Sequence, residues 1–292
     1  MPSCQMDSLW TGARFGFLLL AVQIALPSAG LGAEPATPAP TDSIAASGRR
    51  PDNAFSLDTL RLFADDTVHV FTAPTRWDAG EWWAAAGAGG FALGTTVFDR
   101  SIRDSVQARR SAGLDRFCRS FEHLGADYSF VVLAGFEGFH FLAEDRRSQA
   151  VFVDGLAASL IASGFIAPIL KYSVGRERPS DTTDPYSFHP FTNHNSFPSG
   201  HTTQAFAVAT VIASHYPKWW VEALAYGSAG LVGYCRVEQN AHWTSDVVTG
   251  ALIGWSVARS VVRHNDGSKA PKFTLVPYSD GRSSGLLYVK TF

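Results

Sequence analysis

Six apolar stretches, 82–98, 128–143, 151–170, 202–216, 219–234 and 247–262, constrain the fold of this chain more than any other feature. None alternates apolar and polar residues as a half-buried strand would, so together they predict an all-α bundle. Their Gly and Ala content suits close helix approach inside a membrane, and Trp82, Trp83, Trp219 and Trp220 stand at stretch ends, where an interfacial belt would place them. Against insertion, most stretches fall short of the roughly 20 residues that cross a bilayer. Mean hydropathy is only +0.02, and Glu137, Asp154 and Glu222 lie inside the stretches. A membrane-inserted bundle and a soluble one both fit.

Arg14, an apolar run over 15–26 and the small residues Ala29, Gly30, Gly32 and Ala33 have the layout of a secretory leader, cleaved or kept as an anchor over 1–33. The Pro-, Ala-, Thr- and Ser-rich segment 34–56 has too little apolar surface to order itself and reads as a disordered linker. Over 57–71, Leu57, Leu60, Leu62, Phe63 and Val70 mix with Asp58, Arg61, Asp65 and Asp66, the pattern of a helix lying on a surface. The helical domain is expected over 57–268. The tail 269–292 reads as a β-hairpin turning at Tyr278-Ser279-Asp280-Gly281. A net charge of −2 gives none of the basic field that nucleic acid requires, so nucleic acid is excluded as a partner. Cys4, Cys118 and Cys235 show neither metal-ligand spacing nor a disulfide framework, and Cys118 and Cys235 read more readily as unpaired core thiols than as a pair.

Polar residues that a bundle does not need for packing concentrate in three short segments at helix ends, which should meet in space. The first, Lys171-Tyr-Ser-Val-Gly-Arg-Glu-Arg178-Pro179, closes the third stretch, with Lys171 and Arg178 near one helical face. In the second, Pro198-Ser199-Gly200-His201 opens the fourth stretch, where helix N-terminal amides favour an anion and Gly200 admits close approach. In the third, Arg236 closes the fifth stretch, and His242 and Asp246 lie one turn apart at the start of the sixth. A carboxylate at that spacing can accept a hydrogen bond from the imidazole and raise the basicity of its other nitrogen, which is the orienting pair of nucleophilic catalysis. Such a pair could equally be half of a metal site, but Lys and Arg neighbours complement an anion and oppose a cation, so no metal or cofactor is expected.

Read in order, Lys-x6-Arg-Pro, Pro-Ser-Gly-His and Arg-x5-His-x3-Asp resemble the type 2 phosphatidic acid phosphatase and vanadium haloperoxidase superfamily. The resemblance runs over roughly 82–264, with the motifs confined to 171–246, and implies a six-helix bundle with the site at one end. It implies His242 as a nucleophile forming a phosphohistidine, Asp246 as its orienter and His201 as the acid that protonates the leaving oxygen. Lys171, Arg178 and Arg236 would clamp the phosphoryl oxygens, with Ser199 and the Gly200 amide completing the cradle. This agrees with the demand of phosphoryl transfer for preorganised cations and amides. Cys235 stands where the family usually has Ser before the third-segment Arg, which puts one phosphate hydrogen bond in doubt. His189, His194 and Asn195 lie in the loop before the second segment, where they shape the substrate entrance or are simply solvated.

The resulting expectation is a metal-independent cell-envelope phosphatase acting on a phosphomonoester or diphosphate, in first place a lipid phosphate, with the membrane as a partner. The alternatives are a soluble exported acid phosphatase of broad specificity, a vanadate-dependent haloperoxidase, and a non-catalytic scaffold, the last opposed by the intact motifs. If all six stretches span after an exported leader, the third ends in the cytoplasm. The positive-inside rule applied to Arg100, Arg103, Arg109, Arg110, Arg116 and Arg119 agrees, although bacterial members of the family usually face outward.

Overall fold

A computed structural model of the protein describes residues 48–267, together with the backbone of two strands. The chain is mostly helical. Helix α1 (Leu57–Phe71) starts at Ser56, whose side chain accepts from the Thr59 amide. Helix α2 (Ala79–Thr95) opens on a capping box between Asp78 and Glu81, which satisfies two amides that the helix start would otherwise leave bare. Then come α3 (Asp99–Gln107), α4 (Ala112–Phe121) and α5 (Asp127–Ala143). Helices α6 (Arg146–Ser159) and α7 (Ala167–Val174) run on from one another through a π-helical turn, Leu160–Ile166. The last three are α8 (Gly200–His215), α9 (Trp219–Glu238) and α10 (Thr244–Asn265).

Helix α8 is the hub, packed against α6, α9 and α10. Val151, Ala157 and Ile161 on the α6 side, Ala207 and Val211 of α8, and Ala258 and Val261 of α10 are all fully buried in one core. Small residues set the spacing. A Cβ on Gly254 of α10 would stand 2.2 Å from the Thr203 carbonyl oxygen, so only glycine allows this approach of α10 to α8.

Six helices are too few. The arginine-rich segment between the first two apolar stretches forms α3 and α4, because Ser111 caps α4 and Leu114, Phe117, Cys118 and Phe121 recur at helical spacing. Cys118 and Cys235 are joined in a disulfide, with Cα atoms 5.0 Å apart, which corrects the reading of two unpaired thiols. Two isolated cysteines 117 residues apart carry no spacing signal; packing of α4 on α9 brings them together.

Asp154, one of the charges inside the apolar stretches, is a fully buried structural ion pair. It takes both Arg50 Nε (2.9 Å) and Nη2 (2.6 Å), with His215 Nε2 at 2.8 Å and Asn265 Nδ2 at 2.9 Å. Arg50 belongs to the segment read as linker, so 48–56 is docked on the bundle through this pair and the buried Ala54. The rest of the linker and the leader over 1–33 lie outside the described residues. The backbones of Lys272–Ser279 and Ser284–Thr291 pair antiparallel; Asp280 and Gly281 of the expected turn also lie outside the described residues.

Among the described residues, Arg146–Val174 is the one helix long and apolar enough to cross a membrane, and 61% of its most apolar window is buried. Large apolar side chains nonetheless stand exposed along the outer helices: Trp83, Phe91 and Leu93 of α2, Val131, Phe141 and Leu142 of α5, and Trp219 and Leu224 of α9.

Candidate active site

The three polar segments meet at one end of the bundle. Helix α7 stops at Gly175, in left-handed conformation at φ 57°, where a Cβ would collide with the His189 carbonyl at 1.7 Å. This folds the loop 175–198 back over the helix end, with the His189 amide donating to the Gly175 carbonyl at 2.8 Å and the Ser196 amide to that of Arg176 at 3.0 Å. The loop presents Asn195 to both cations of the first segment: its carbonyl accepts from Lys171 Nζ at 2.5 Å and its side-chain oxygen from Arg178 Nε at 2.9 Å. Ser199, fully buried as the N-cap of α8, donates its amide to the Asp246 carbonyl at 3.0 Å and so ties α8 to α10. The His242 amide donates to the Arg236 carbonyl at 3.2 Å, which joins the end of α9 to the same place.

His242 is almost fully buried. Its Nδ1 lies 2.7 Å from the Ser196 carbonyl, which can only accept, so the neutral ring carries its proton on Nδ1 and keeps the Nε2 lone pair. Asp246 is not the direct acceptor that the one-turn spacing predicts. Its Oδ2 stands 3.8 Å from Nδ1, beyond hydrogen-bond range. The carboxylate is occupied elsewhere, by Arg176 Nη1 at 2.5 Å, Ser196 Oγ at 2.5 Å and the Trp243 amide at 2.9 Å. Asp246 therefore acts on His242 as a nearby charge and through Ser196. Burial pulls the His242 imidazole down to about 4, against the opposing pull of Asp246, and Lys171 and Arg236 push the same way as burial. Burial alone would raise Asp246, but His242 and Arg176 outweigh it and hold the carboxyl below its ordinary range.

The remaining expected residues divide. His201, in the first turn of α8, is lowered by burial and then by Lys171. Gly200 lies beside Lys171, where a Cβ would meet Lys171 Cε at 3.8 Å. Ser199 Oγ accepts from Thr202 Oγ1 at 2.9 Å and retains its own proton to donate. Arg236 is mostly buried, its Nη1 bonded to Gln239 Oε1 at 2.7 Å and ion-paired with Glu122, while its Nε has no partner. The Cys118–Cys235 disulfide sits directly before Arg236 and pins α9 to α4.

Sequence reasoning missed the group that holds these parts in place. Arg176 is 1% exposed, and its guanidinium bridges Asp246 and Asp99, with Nη2 at 2.7 Å from Asp99 Oδ2, while Nε and Nη2 donate to the Pro185 carbonyl at 3.0 and 2.6 Å. Asp99 in turn accepts from the Ser245 amide at 2.8 Å. Two buried carboxylates share one guanidinium, a net charge of −1, and each also accepts hydrogen bonds, Asp99 from Ser245 and Asp246 from Ser196 and the Trp243 amide, the condition under which a buried ion cluster is tolerated. Arg176 stands two residues before Arg178, and nothing in its spacing sets it apart from the other charges of that segment. Asp99, at the end of an apolar stretch, carried no signal beyond its charge.

Residues 153–268 match the PAP2 superfamily. A lipid A 1-phosphatase of Rhizobium etli is 37% identical over 178 residues, 56% of this chain and 76% of that protein. A lipid A 1-phosphatase of Porphyromonas gingivalis is 29% identical over 157 residues, 53% of this chain; the match spans only 33% of that protein. The crystal structure of Aquifex aeolicus LpxE aligns at a TM-score of 0.46 with 28% identity, covering 57% of this chain and 95% of that one. On the length and identity of the Rhizobium etli match, together with the motif-bearing region 153–268, the chain belongs to the PAP2 superfamily, the type 2 phosphatidic acid phosphatases.

Proposed function

We propose that the protein is a phosphoric ester hydrolase that removes phosphate from a lipid through a phosphohistidine on His242. The observation that carries this is the Nδ1–H contact to the Ser196 carbonyl, which leaves a neutral, buried Nε2 free to attack, with Lys171 and Arg236 close enough to act on its charge. Attack on phosphorus makes the imidazole cationic, and Asp246 at 3.8 Å opposes that charge. Lys171, Arg178 and Arg236 would take the phosphoryl oxygens, with the Ser199 hydroxyl and the α8 N-terminal amides completing the cradle. For Arg236 this requires exchanging Glu122 for substrate, and its unpartnered Nε is a donor already free to do so. His201 would protonate the leaving oxygen as its bond to phosphorus breaks, and, left neutral, would take a proton from the water that then cleaves the phosphohistidine to inorganic phosphate and free His242. An arriving phosphate dianion raises a neighbouring histidine's proton affinity, which offsets the lowering by burial.

Support for a lipid substrate comes from the exposed apolar band and from an apolar cleft of about 320 Å³ between α5, α8 and α9, lined by residues such as Phe136, Val208, Ile212 and Leu224. Lipid A is the first lipid phosphate to test, since the relatives quoted above carry that activity in their names. The cell envelope is the proposed location, with the site facing an oxidising compartment, where a structural disulfide such as Cys118–Cys235 beside Arg236 is favoured. This facing sets aside the cytoplasmic placement that the positive-inside rule suggests, as Arg103 of the arginine-rich segment donates to Asn240 Oδ1 at 2.8 Å on the site side.

The test is inorganic phosphate release from lipid A and from a small soluble phosphomonoester by membrane and soluble fractions, with His242→Ala as control. Histidine-dependent turnover of the lipid in membranes supports the proposal. Turnover confined to the small ester in the soluble fraction overturns it.

A further inference from the structure

We propose that Glu177, His189 and His194 form a binding site for a single divalent transition-metal ion of the zinc type, at the rim of the active site and separate from its chemistry. The three residues are brought to one point by the loop that folds back from Gly175, although they are twelve and five residues apart in sequence. One ligand atom of each lies within 4.8 Å of the others. Glu177 Oε1 stands 3.5 Å from His189 Nε2 and 3.7 Å from His194 Nε2. Tetrahedral zinc with bonds of about 2.1 Å separates its ligand atoms by about 3.4 Å, so two of the three edges already match a coordination polyhedron. Two imidazoles and one carboxylate suit a borderline metal, in contrast to the all-oxygen sets that calcium and magnesium take.

The surroundings hold this geometry. Ser187 Oγ donates to Glu177 Oε2 at 2.9 Å and so aims Oε1 at the histidines, an outer hydrogen bond of the kind that orients metal ligands. The same hydroxyl lies 3.1 Å from His189 Nε2, a contact that metal would replace. The Glu177 amide donates to the Ser187 carbonyl at 3.1 Å, and Thr192 Oγ1 to that of His189 at 2.6 Å. Of the flanking cations, Arg176 is neutralised between Asp99 and Asp246, while Arg178, bonded to the neutral Asn195, keeps its charge, which the Glu177 carboxylate in the ligand set offsets. All three ligands reach solvent, which gives the ion an entry path and leaves a fourth position for water.

The ion would take no part in the reaction proposed above but would bear on how its residues are positioned. His194 is followed by Asn195, which holds Lys171 and Arg178, and by Ser196, which holds His242. An ion bound by His194 would fix this tripeptide, and through it the phosphate clamp.

The test uses the purified full-length protein, stripped of metal, with Co²⁺ as a spectroscopic probe and Zn²⁺ as competitor. A tetrahedral Co²⁺ spectrum at one equivalent, displaced by Zn²⁺, is expected. His194→Gln and Glu177→Gln should each weaken it by at least about 100-fold, since each removes one of only three protein ligands. His123→Gln, a half-exposed histidine away from the cluster, should leave it unchanged. Zn²⁺ should also slow hydrogen exchange of the amides over 189–196 in the native protein but not in His194→Gln. Absence of the spectrum, or equal affinity in His194→Gln and His123→Gln, would overturn the site; binding without slowed exchange would overturn its hold on the loop. Neither readout depends on phosphatase activity, so failure of the proposed function would be seen separately.

Discussion

Replacing Asp246 by Asn removes one charge and leaves the shape of the site. The asparagine can still accept from Ser196 Oγ and the Trp243 amide, and the Ser196 carbonyl still receives the His242 Nδ1 proton, so ring position and tautomer persist. What is lost is the field of a carboxylate 3.8 Å from the ring. At an effective dielectric near 20, a unit charge at that distance is worth about 4 kcal/mol to the cation that forms when His242 is phosphorylated. At 1.36 kcal/mol per tenfold, kcat should fall by about 10³. Arg176 keeps Asp99, but the asparagine NH2 then faces Arg176 Nη1 where Asp246 Oδ1 accepted, so the fold should lose about 3 kcal/mol, the lower end of the cost of a broken buried pair. Steady-state phosphate release gives the first number and denaturant unfolding the second. A variant whose kcat stays within threefold of the native value would refute the argument, because it would mean that the charge of Asp246 does not stabilise the reacting ring.

Other consequences can be checked the same way. Arg176→Leu strands Asp99 and Asp246 in the interior and should cost about 3–5 kcal/mol, read by thermal unfolding, although Arg176 touches no substrate in this account. Reducing the Cys118–Cys235 bond releases a loop of 117 residues and should lower stability by about 4–5 kcal/mol on chain entropy, seen as a lower melting temperature in dithiothreitol that Cys118→Ser already shows without it. Asp66, fully buried, is pushed up by burial to about 7. Its folded pKa exceeds its unfolded one, so the stabilising proton is bound below pH 4 in both states and lost from the native state as pH rises towards 7. Stability should therefore fall across that window by at most roughly 4 kcal/mol, and Asp66→Asn should flatten the fall; an unchanged pH profile in the variant would contradict it.

How much of this was legible in the sequence depends on the range of the interaction concerned. The helical character of the chain, the surface helix α1 and the convergence of three polar segments are local or periodic properties, and they can be read directly from the residues. Helices α3 and α4 were hidden because charge density in 99–121 masked a short apolar face. The disulfide and the Asp99–Arg176–Asp246 cluster are products of tertiary approach between distant segments, and nothing in the spacing of their members announces them. The one-turn spacing of His242 and Asp246 was read correctly as a shared face but wrongly as a direct hydrogen bond. The loop carbonyl of Ser196 intervenes, and a backbone acceptor has no signature in sequence.

The central claim is that phosphate passes through His242. The direct measurement is acid- and base-quenched mass spectrometry of the His201→Ala protein after mixing with an activated aryl phosphate, whose leaving group needs no protonation. Without His201 to activate water, the intermediate should accumulate, with one acid-labile, base-stable phosphate on His242. Phosphate on any other residue, or consumption of the ester with no phosphorylated protein at any time, would contradict the account.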